Sequence, residues 1–379
     1  MIYLDNNATT QLAPEVLEAM LPWLREGFGN AASPYRLGRR SREAVETARG
    51  QVAELLGVRG GREIVFTGGA TEGNFTAIHS ALRLQPEKQR IVTSAVEHQS
   101  ILEPLRDWQK QGYDVVYLPV DSQGRLDPGE FAAALTEDTA LATIMWANNE
   151  TGVLFPIAEL AALAREKRVF FHTDATQAVG KVPVQAMEAG VSMLSLSAHK
   201  FHGPKGIGAL WVSPRTRFAP LFPGSQEEGR RAGTSNVPGI VGLGAAAERA
   251  GQGLEERAAA LASLRDGLEQ SLRAAIPSLR VNGGESARLP QTSNVAFPGI
   301  EAEGLLLLLD QADICVSTGS ACTTGSLAPS HVLTAMGQGA LEAREAIRIS
   351  ISSSNSGGEL EQFNTFCVNK WLVLAAVGG

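Results

Sequence analysis

Lys200 lies in SLSAHKFHGPKGIGAL (195–210), directly after an apolar run and ahead of a glycine-rich turn. That is the place where the carboxyl edge of an open α/β sheet binds ligands. A lysine partly desolvated there becomes a Schiff-base nucleophile, although a lone strand-end lysine is more often a surface cation. Ser197 and His199 shift the balance, because a hydroxyl and an imidazole beside a lysine suit a phosphate. Lys205, in GPKG, reads as a solvated turn lysine. Asp174 closes the apolar run VFF in HTDATQAVGK (172–181), where an unpartnered carboxylate is costly. Its partner is an arginine, an amide or a protonated ring nitrogen, or else it caps a helix, with Gln177 completing a capping box. In FTGGATEGN (66–74) two glycines precede Ala70 and Thr71 at a helix start, a backbone-amide cradle for an anion.

Four further residues carry less weight singly. His98 ends a strand in VEHQS, Asn149 lies in WANNETG, Thr234 in RRAGTSN, and Arg348 inside the apolar strand IRISIS. An arginine so placed usually holds a carboxylate, which an amino-acid substrate would supply. Cys322, in STGSACTTGS, has no Lys, Arg or His in that stretch. A reactive thiol normally has a positive neighbour or a base, so Cys322 is either idle or activated from elsewhere in the fold. The glycines of GLGAAA (242–247) match the loose dinucleotide fingerprint but sit in a helical region, and read as helix packing.

The elements that must position these groups alternate. Strand-like runs at 63–67, 90–96, 113–120, 140–146, 168–174, 192–197 and 208–213 are separated by helical stretches, one capped near Asp127. Such spacing predicts an α/β fold, a mainly parallel sheet with helices on both faces. Residues 238–276 predict one or two long helices. After them strands at 293–297, 313–317 and 347–352 mix with helices, including EGLLLLLDQ, as a smaller α+β domain.

Composition narrows the class. With 44% hydrophobic and 19% charged residues the chain reads as soluble and globular, and a net charge of −7 argues against a nucleic-acid partner. No run approaches the ~20 apolar residues of a membrane span. MIYLDNNATT is not a secretory signal, and three cysteines make no disulfide framework, so a cytoplasmic setting is expected.

Taken together, a phosphate cradle, a strand-end lysine and aspartate, a histidine and a carboxylate-binding arginine are the parts of a pyridoxal 5'-phosphate site. The sequence also resembles a known family, the cysteine desulfurases of the nitrogen-fixation and iron–sulfur-cluster-assembly group, which are class-V-aminotransferase-like. YLDNNATT, IVFTGGATE, VEHQSIL, WANNETGVLFPI, FHTDATQAVGKVP, LSLSAHKFHGPKGIGAL, EEGRRAGTSNV and STGSACTTGSLAPSHVL carry the resemblance, in order along nearly the whole chain. The match looks closest to the nitrogen-fixation type.

The resemblance implies a fold type I pyridoxal-phosphate transferase with a seven-stranded sheet. Its large domain would span 14–250, and its small domain 1–13 and 251–379, carrying the cysteine loop. It implies a homodimer that converts L-cysteine to L-alanine and passes sulfur to Cys322 as a persulfide. An iron–sulfur scaffold or another acceptor protein would then collect the sulfur. Lys200 would attach the cofactor, Asp174 pair with its ring nitrogen, and Gln177 bond its phenolic oxygen. His98 would stack on the ring and shuttle protons. Ala70, Thr71, Ser197 and His199 would hold the phosphate, with Thr234 reaching in from the other subunit. Asn149 and Arg348 would hold the substrate carboxylate, and no metal is implied. A selenocysteine lyase or an aminotransferase of the same superfamily is the nearest rival, although an aminotransferase has no need of Cys322. A non-enzymatic assembly scaffold would not need the lysine, aspartate and histidine set. The chain departs from the family at Ala31, Ala32, Tyr35, Gly73, Ser225 and in its C-terminal segment.

Overall fold

The computed structural model describes residues 1–318 and 329–377, with 374–377 given by backbone alone. After a two-residue β1 (Ile2–Tyr3), seven strands build the main sheet. They are β2 (Ile64–Thr67), β3 (Arg90–Ser94), β4 (Asp114–Leu118), β5 (Thr139–Thr143), β6 (Phe170–Asp174), β7 (Met193–Ser197) and β8 (Gly208–Val212). Their order is β2-β8-β7-β6-β5-β3-β4. β3 to β7 pair in parallel through β4–β3–β5–β6–β7, whereas β8 is antiparallel to both β7 and β2. The reason lies in the connection. Residues 198–207 between β7 and β8 are too few for the crossover of about a dozen or more residues that parallel neighbours need.

β5, β7 and β8 are buried at every position, as strands covered by helices on both faces must be. The expected 140–146 strand overruns β5. Beyond Thr143 the chain stays apolar and buried but leaves the regular ladder, a change that hydrophobicity does not register. Asp127 caps the helix Pro128–Ala134, accepting from Gly129 N.

The helices Pro14–Arg25 and Arg36–Leu55 both pack on the helix Val237–Gly251. A Cβ on Gly244 would fall 2.6 Å from the Ala48 Cα, and one on Gly242 2.7 Å from the Met20 sulfur. GLGAAA is therefore a helix-packing sequence, as expected.

The rest of the chain gathers on a second sheet. β9 (Arg280–Val281), β10 (Thr292–Ala296) and, beyond β11 (Ile314–Cys315), β12 (Ala346–Ser350) form an antiparallel sheet in the order β12-β10-β9. β11 pairs with β1 in parallel, and Asp5 bridges Ser350, so the N-terminus is sewn to the C-terminal third. Leu4, Leu272, Phe297, Leu309, Ile349 and Phe363 share one apolar cluster there, beneath the helices Leu254–Ala275, Ala302–Asp310 and Gly357–Val377. Two helices thus occupy 238–276, as the pattern predicts. Of the expected 313–317 strand only Ile314–Cys315 forms, and β1 and β9 are too short to leave a period in the sequence.

Candidate active site

The carboxyl ends of β2, β6 and β7 bring the chemistry together. At β2 the Thr67 hydroxyl donates to Gly69 O (3.0 Å), and Gly69, at φ +154°, starts the helix Ala70–Leu84. The turn is locked against two strands. A Cβ on Gly208 would meet Leu196 O at 2.4 Å and Gly69 Cα at 2.8 Å. A Cβ on Gly69 would stand 3.8 Å from the Ser197 hydroxyl. Gly69 thus lies beside Ser197, and the first-turn amides of Ala70 and Thr71 follow it directly, a helix start suited to a phosphate. Glu72 shapes the rim. It accepts from Gly68 N (2.7 Å) and is held by the Arg231 guanidinium at 2.9 and 3.2 Å. Thr234 is exposed and lines a cleft with Thr67, Gly68 and Gly206 of its own chain.

At the end of β6, Asp174 is buried and accepts from Asn74 Nδ2 (2.7 Å) and from Thr176 N (3.0 Å). Asn74 also donates to the Ser100 hydroxyl (2.9 Å), which lies 2.8 Å from His98 Nδ1. With its oxygen already accepting from Asn74, Ser100 has its own proton free to donate to that nitrogen. Ser100 N donates there too, at 3.1 Å, because His98 caps the helix Gln99–Lys110. The neutral ring consequently carries its proton on Nε2. Burial keeps it neutral, lowering its pKa against the pull of Asp174, with Lys200, His331 and Arg348 adding to the drop. Asp174, Asn74, Ser100 and His98 thus form one hydrogen-bonded bracket.

Lys200 donates to Asn7 O (2.7 Å) and Ala8 O (2.8 Å). Gln177 makes no capping box, because residues 175–181 run through successive turns and not a helix. Its Nε2 instead donates to Asn7 O (2.9 Å), and its Oε1 accepts from Lys181 Nζ (2.7 Å). His199 sits 3.1 Å from the Thr9 hydroxyl, and burial beside Lys200, Lys181 and Lys205 pushes its pKa down to about 4. Lys205 is exposed, as expected.

Arg348, on β12, is 3% exposed and already engages a carboxylate of its own chain, Asp5 Oδ1 at 2.7 Å. Its second terminal nitrogen donates to Asn149 O (3.1 Å), and its Nε has no partner among the described residues. Five N–H donors on a guanidinium leave capacity for a further carboxylate. Asn149 enters this corner through its backbone carbonyl, which also accepts from Asn7 Nδ2 (3.2 Å). Cys322 lies outside the described residues. The chain that follows is tied to the same corner. Ser330 donates to buried Glu150 (2.5 Å), and His331 Nε2 lies 2.9 Å from Glu97 O.

Sequence reasoning missed Asn74, Ser100, Glu72, Arg231, Asp5, Asn7 and Lys181. Asn74 alone left a signal, an amide in a stretch whose helical periodicity points it inward. The others are recognisable only once distant segments meet.

The comparisons with known proteins agree with this geometry. The aminotransferase class-V family model matches residues 2–363. Cysteine desulfurase 2 of Trichormus variabilis is 52% identical over 363 residues, covering 96% of this chain and 91% of that protein. Cysteine desulfurase NifS of Azotobacter vinelandii is 48% identical over 362 residues, covering 95% and 90%. The solved structure of a NifS-like protein superposes with a TM-score of 0.91 at 36% identity, covering 98% of this chain and 99% of that one. With its family model spanning nearly the whole chain and relatives near half identity over the same length, this chain belongs to the class-V aminotransferase family.

Proposed function

We propose that this chain is a pyridoxal-phosphate-dependent cysteine desulfurase, converting L-cysteine to L-alanine and passing the sulfur to Cys322 as a persulfide. The observation that supports it most is the Asp174–Asn74–Ser100–His98 bracket beside Lys200 at the carboxyl edge of one sheet. The residues fit the cofactor. The helix start at Ala70 and Thr71, beside Ser197, suits a phosphate, and Asp174 offers a buried, pre-oriented carboxylate to a protonated ring nitrogen. When bound, the cofactor supplies an electron sink for charge developing at the substrate's Cα.

The chain's own groups do the rest. Lys200 would attach the cofactor and move the Cα proton, and Gln177 would donate to the phenolic oxygen. Ala70, Thr71, Ser197 and His199 would hold the phosphate, with Thr234 of a second copy. His98 would cover the ring and pass a proton through Nε2. Arg348 and Asn149 orient the substrate carboxylate. The Cys322 thiolate attacks the substrate sulfur; an S–S bond forms, the Cβ–S bond breaks, and the electron pair with a proton ends on the alanine methyl.

A homodimer would cover the exposed Leu17 and Leu24 of the first helix and Phe28 and Tyr35 in the connection after it. The large domain would then be 14–250 and the small domain 1–13 with 251–379. The acceptor would be an iron–sulfur scaffold or another sulfur-accepting protein, and the setting cytoplasmic. Among the described residues no helix is long and apolar enough to cross a membrane.

Borohydride reduction followed by peptide mapping tests the cofactor half, with the label expected on Lys200. Cys322→Ala tests the sulfur half. It is expected to bind cysteine with the wild-type spectral change yet release almost no sulfide under thiol reductant. Full turnover in that variant overturns the role of Cys322.

A further inference from the structure

We infer that Lys181 is a positioning residue for Gln177. Its side-chain nitrogen holds the Gln177 carbonyl and so turns the amide's N–H edge toward Asn7 O and the side from which Lys200 works. The inference rests on the functional reading above, and the observations behind it are geometric.

A glutamine amide has two edges of nearly the same shape, and only its hydrogen bonds decide which way it faces. Here both bonds point one way. Lys181 Nζ lies 2.7 Å from Oε1, and Nε2 lies 2.9 Å from Asn7 O. Flipping the amide would set two acceptors against each other at Asn7 and, with Lys181 protonated, two donors against each other at its other end. Asn7 O also accepts from Lys200 at 2.7 Å, so Lys181, Gln177 and Lys200 are joined through one carbonyl.

Lys181 is not placed as a solvated cation. It follows Gly180, at φ +75°, where a Cβ would meet Phe201 Cβ at 2.9 Å and Ala250 Cβ at 3.1 Å. Those contacts leave no room for a side chain at 180, and Lys181 beside it is half-buried. Burial, then the neighbouring Lys200 and Arg348, hold its ammonium well below the usual lysine range. His199 and His202 feel its charge as well. An aliphatic side chain would fill this volume without that electrostatic cost. What lysine adds is the N–H. Because an amine and an ammonium both carry N–H donors, the bond to Gln177 stands in either protonation state.

A double-mutant cycle on the dissociation constant of pyridoxal phosphate, followed by visible absorbance, tests this. Lys181→Met is expected to weaken cofactor binding about tenfold, the worth of one hydrogen bond. In the Gln177→Leu background the same change is expected to cost less than about twofold, since the amide it orients is gone. An unchanged constant in Lys181→Met overturns the inference, as does an equal loss in both backgrounds, which marks a merely structural residue. Lys181→Arg, which keeps donors at the end of the stem, is expected within about threefold of wild type. If Lys181→Met does not fold, a folded Lys181→Arg that binds ten or more times more weakly, as roughly one lost hydrogen bond would predict, overturns the inference. A wild-type chain that binds no cofactor would bring down the functional reading, and this inference with it. A wild type that binds beside an unaffected Lys181→Met brings down this inference alone.

Discussion

Replacing Glu97 by glutamine should make the protein more stable in mild alkali while changing it little in acid. Glu97, the neighbour of His98, is fully buried at the end of β3. Its Oε1 accepts from the Ser94 hydroxyl (2.7 Å) and Met145 N (2.9 Å), and its Oε2 has no partner. Burial pushes its pKa from 4.5 up to about 8; the two hydrogen bonds oppose the rise and Asp174 adds to it. Between those two values the unfolded chain has released a proton that the folded chain keeps. Stability therefore falls as pH rises, by about 1.4 kcal/mol per unit and on the order of 5 kcal/mol across the window. It is fully retained below pH 4.5 and lost progressively toward pH 8. Glutamine keeps the accepting oxygen and has no proton to lose. Urea unfolding of both proteins from pH 5 to pH 8 isolates this group, because other titrating residues cancel in the difference. The wild type should lose several kcal/mol relative to the variant over that range. A difference constant with pH would refute the reasoning, showing that Glu97 does not stay protonated in the fold. A neutral Glu97 also puts no second negative charge beside Asp174.

Other substitutions probe the parts that hold the site. Arg49→Met strands Glu227, which the Arg49 guanidinium grips at 2.8 and 3.0 Å in a buried pair. It should cost about 3–5 kcal/mol in chemical unfolding, and a loss below about 1 kcal/mol contradicts that. The same pair holds Glu227 and Glu228 at φ 50° and 55°, so the segment leading to Thr234 should become more open to protease. Asn74→Leu removes one of the two bonds to Asp174 and the donor to Ser100. It should lower stability by about 1–3 kcal/mol and broaden the His98 imidazole resonance; unchanged His98 spectra would show the bracket to be incidental. Gly208→Ala drives a methyl into Leu196 O and the Gly69 backbone, and should weaken cofactor binding about five- to hundredfold, as roughly 1–3 kcal/mol of overpacking implies. An unaltered dissociation constant would deny the Gly69–Ser197 cradle.

How much of this was legible in the sequence depends on the kind of signal. Lys200 and Asp174 declare themselves because buried parallel strands are continuous apolar runs, and a polar residue ending one must face the sheet's edge. The antiparallel β8 is silent by the same logic, since its run is apolar whichever way it points; only the short 198–207 connection betrays it. For Gln177 the sequence left a capping box open beside the cofactor role, because spacing cannot distinguish a helix from successive turns. Arg348 was read as needing a carboxylate, and it has one in Asp5, contributed from 343 residues away in the sequence. Gly73, where the family usually has serine, gains a reason from packing. A Cβ there would stand 2.9 Å from the Ser195 hydroxyl, which lies 2.9 Å from the buried His172 ring. The helix bearing Asn74 therefore sits against β7 at a distance that a larger residue would not permit.

The most direct measurement is the product balance of the purified wild-type chain, loaded with pyridoxal phosphate and given L-cysteine and a thiol reductant, beside a parallel run with selenocysteine. Alanine and sulfide appearing in equal amounts, turnover after turnover, is the predicted result. Alanine without sulfide, pyruvate in place of alanine, or turnover confined to selenocysteine would contradict the account.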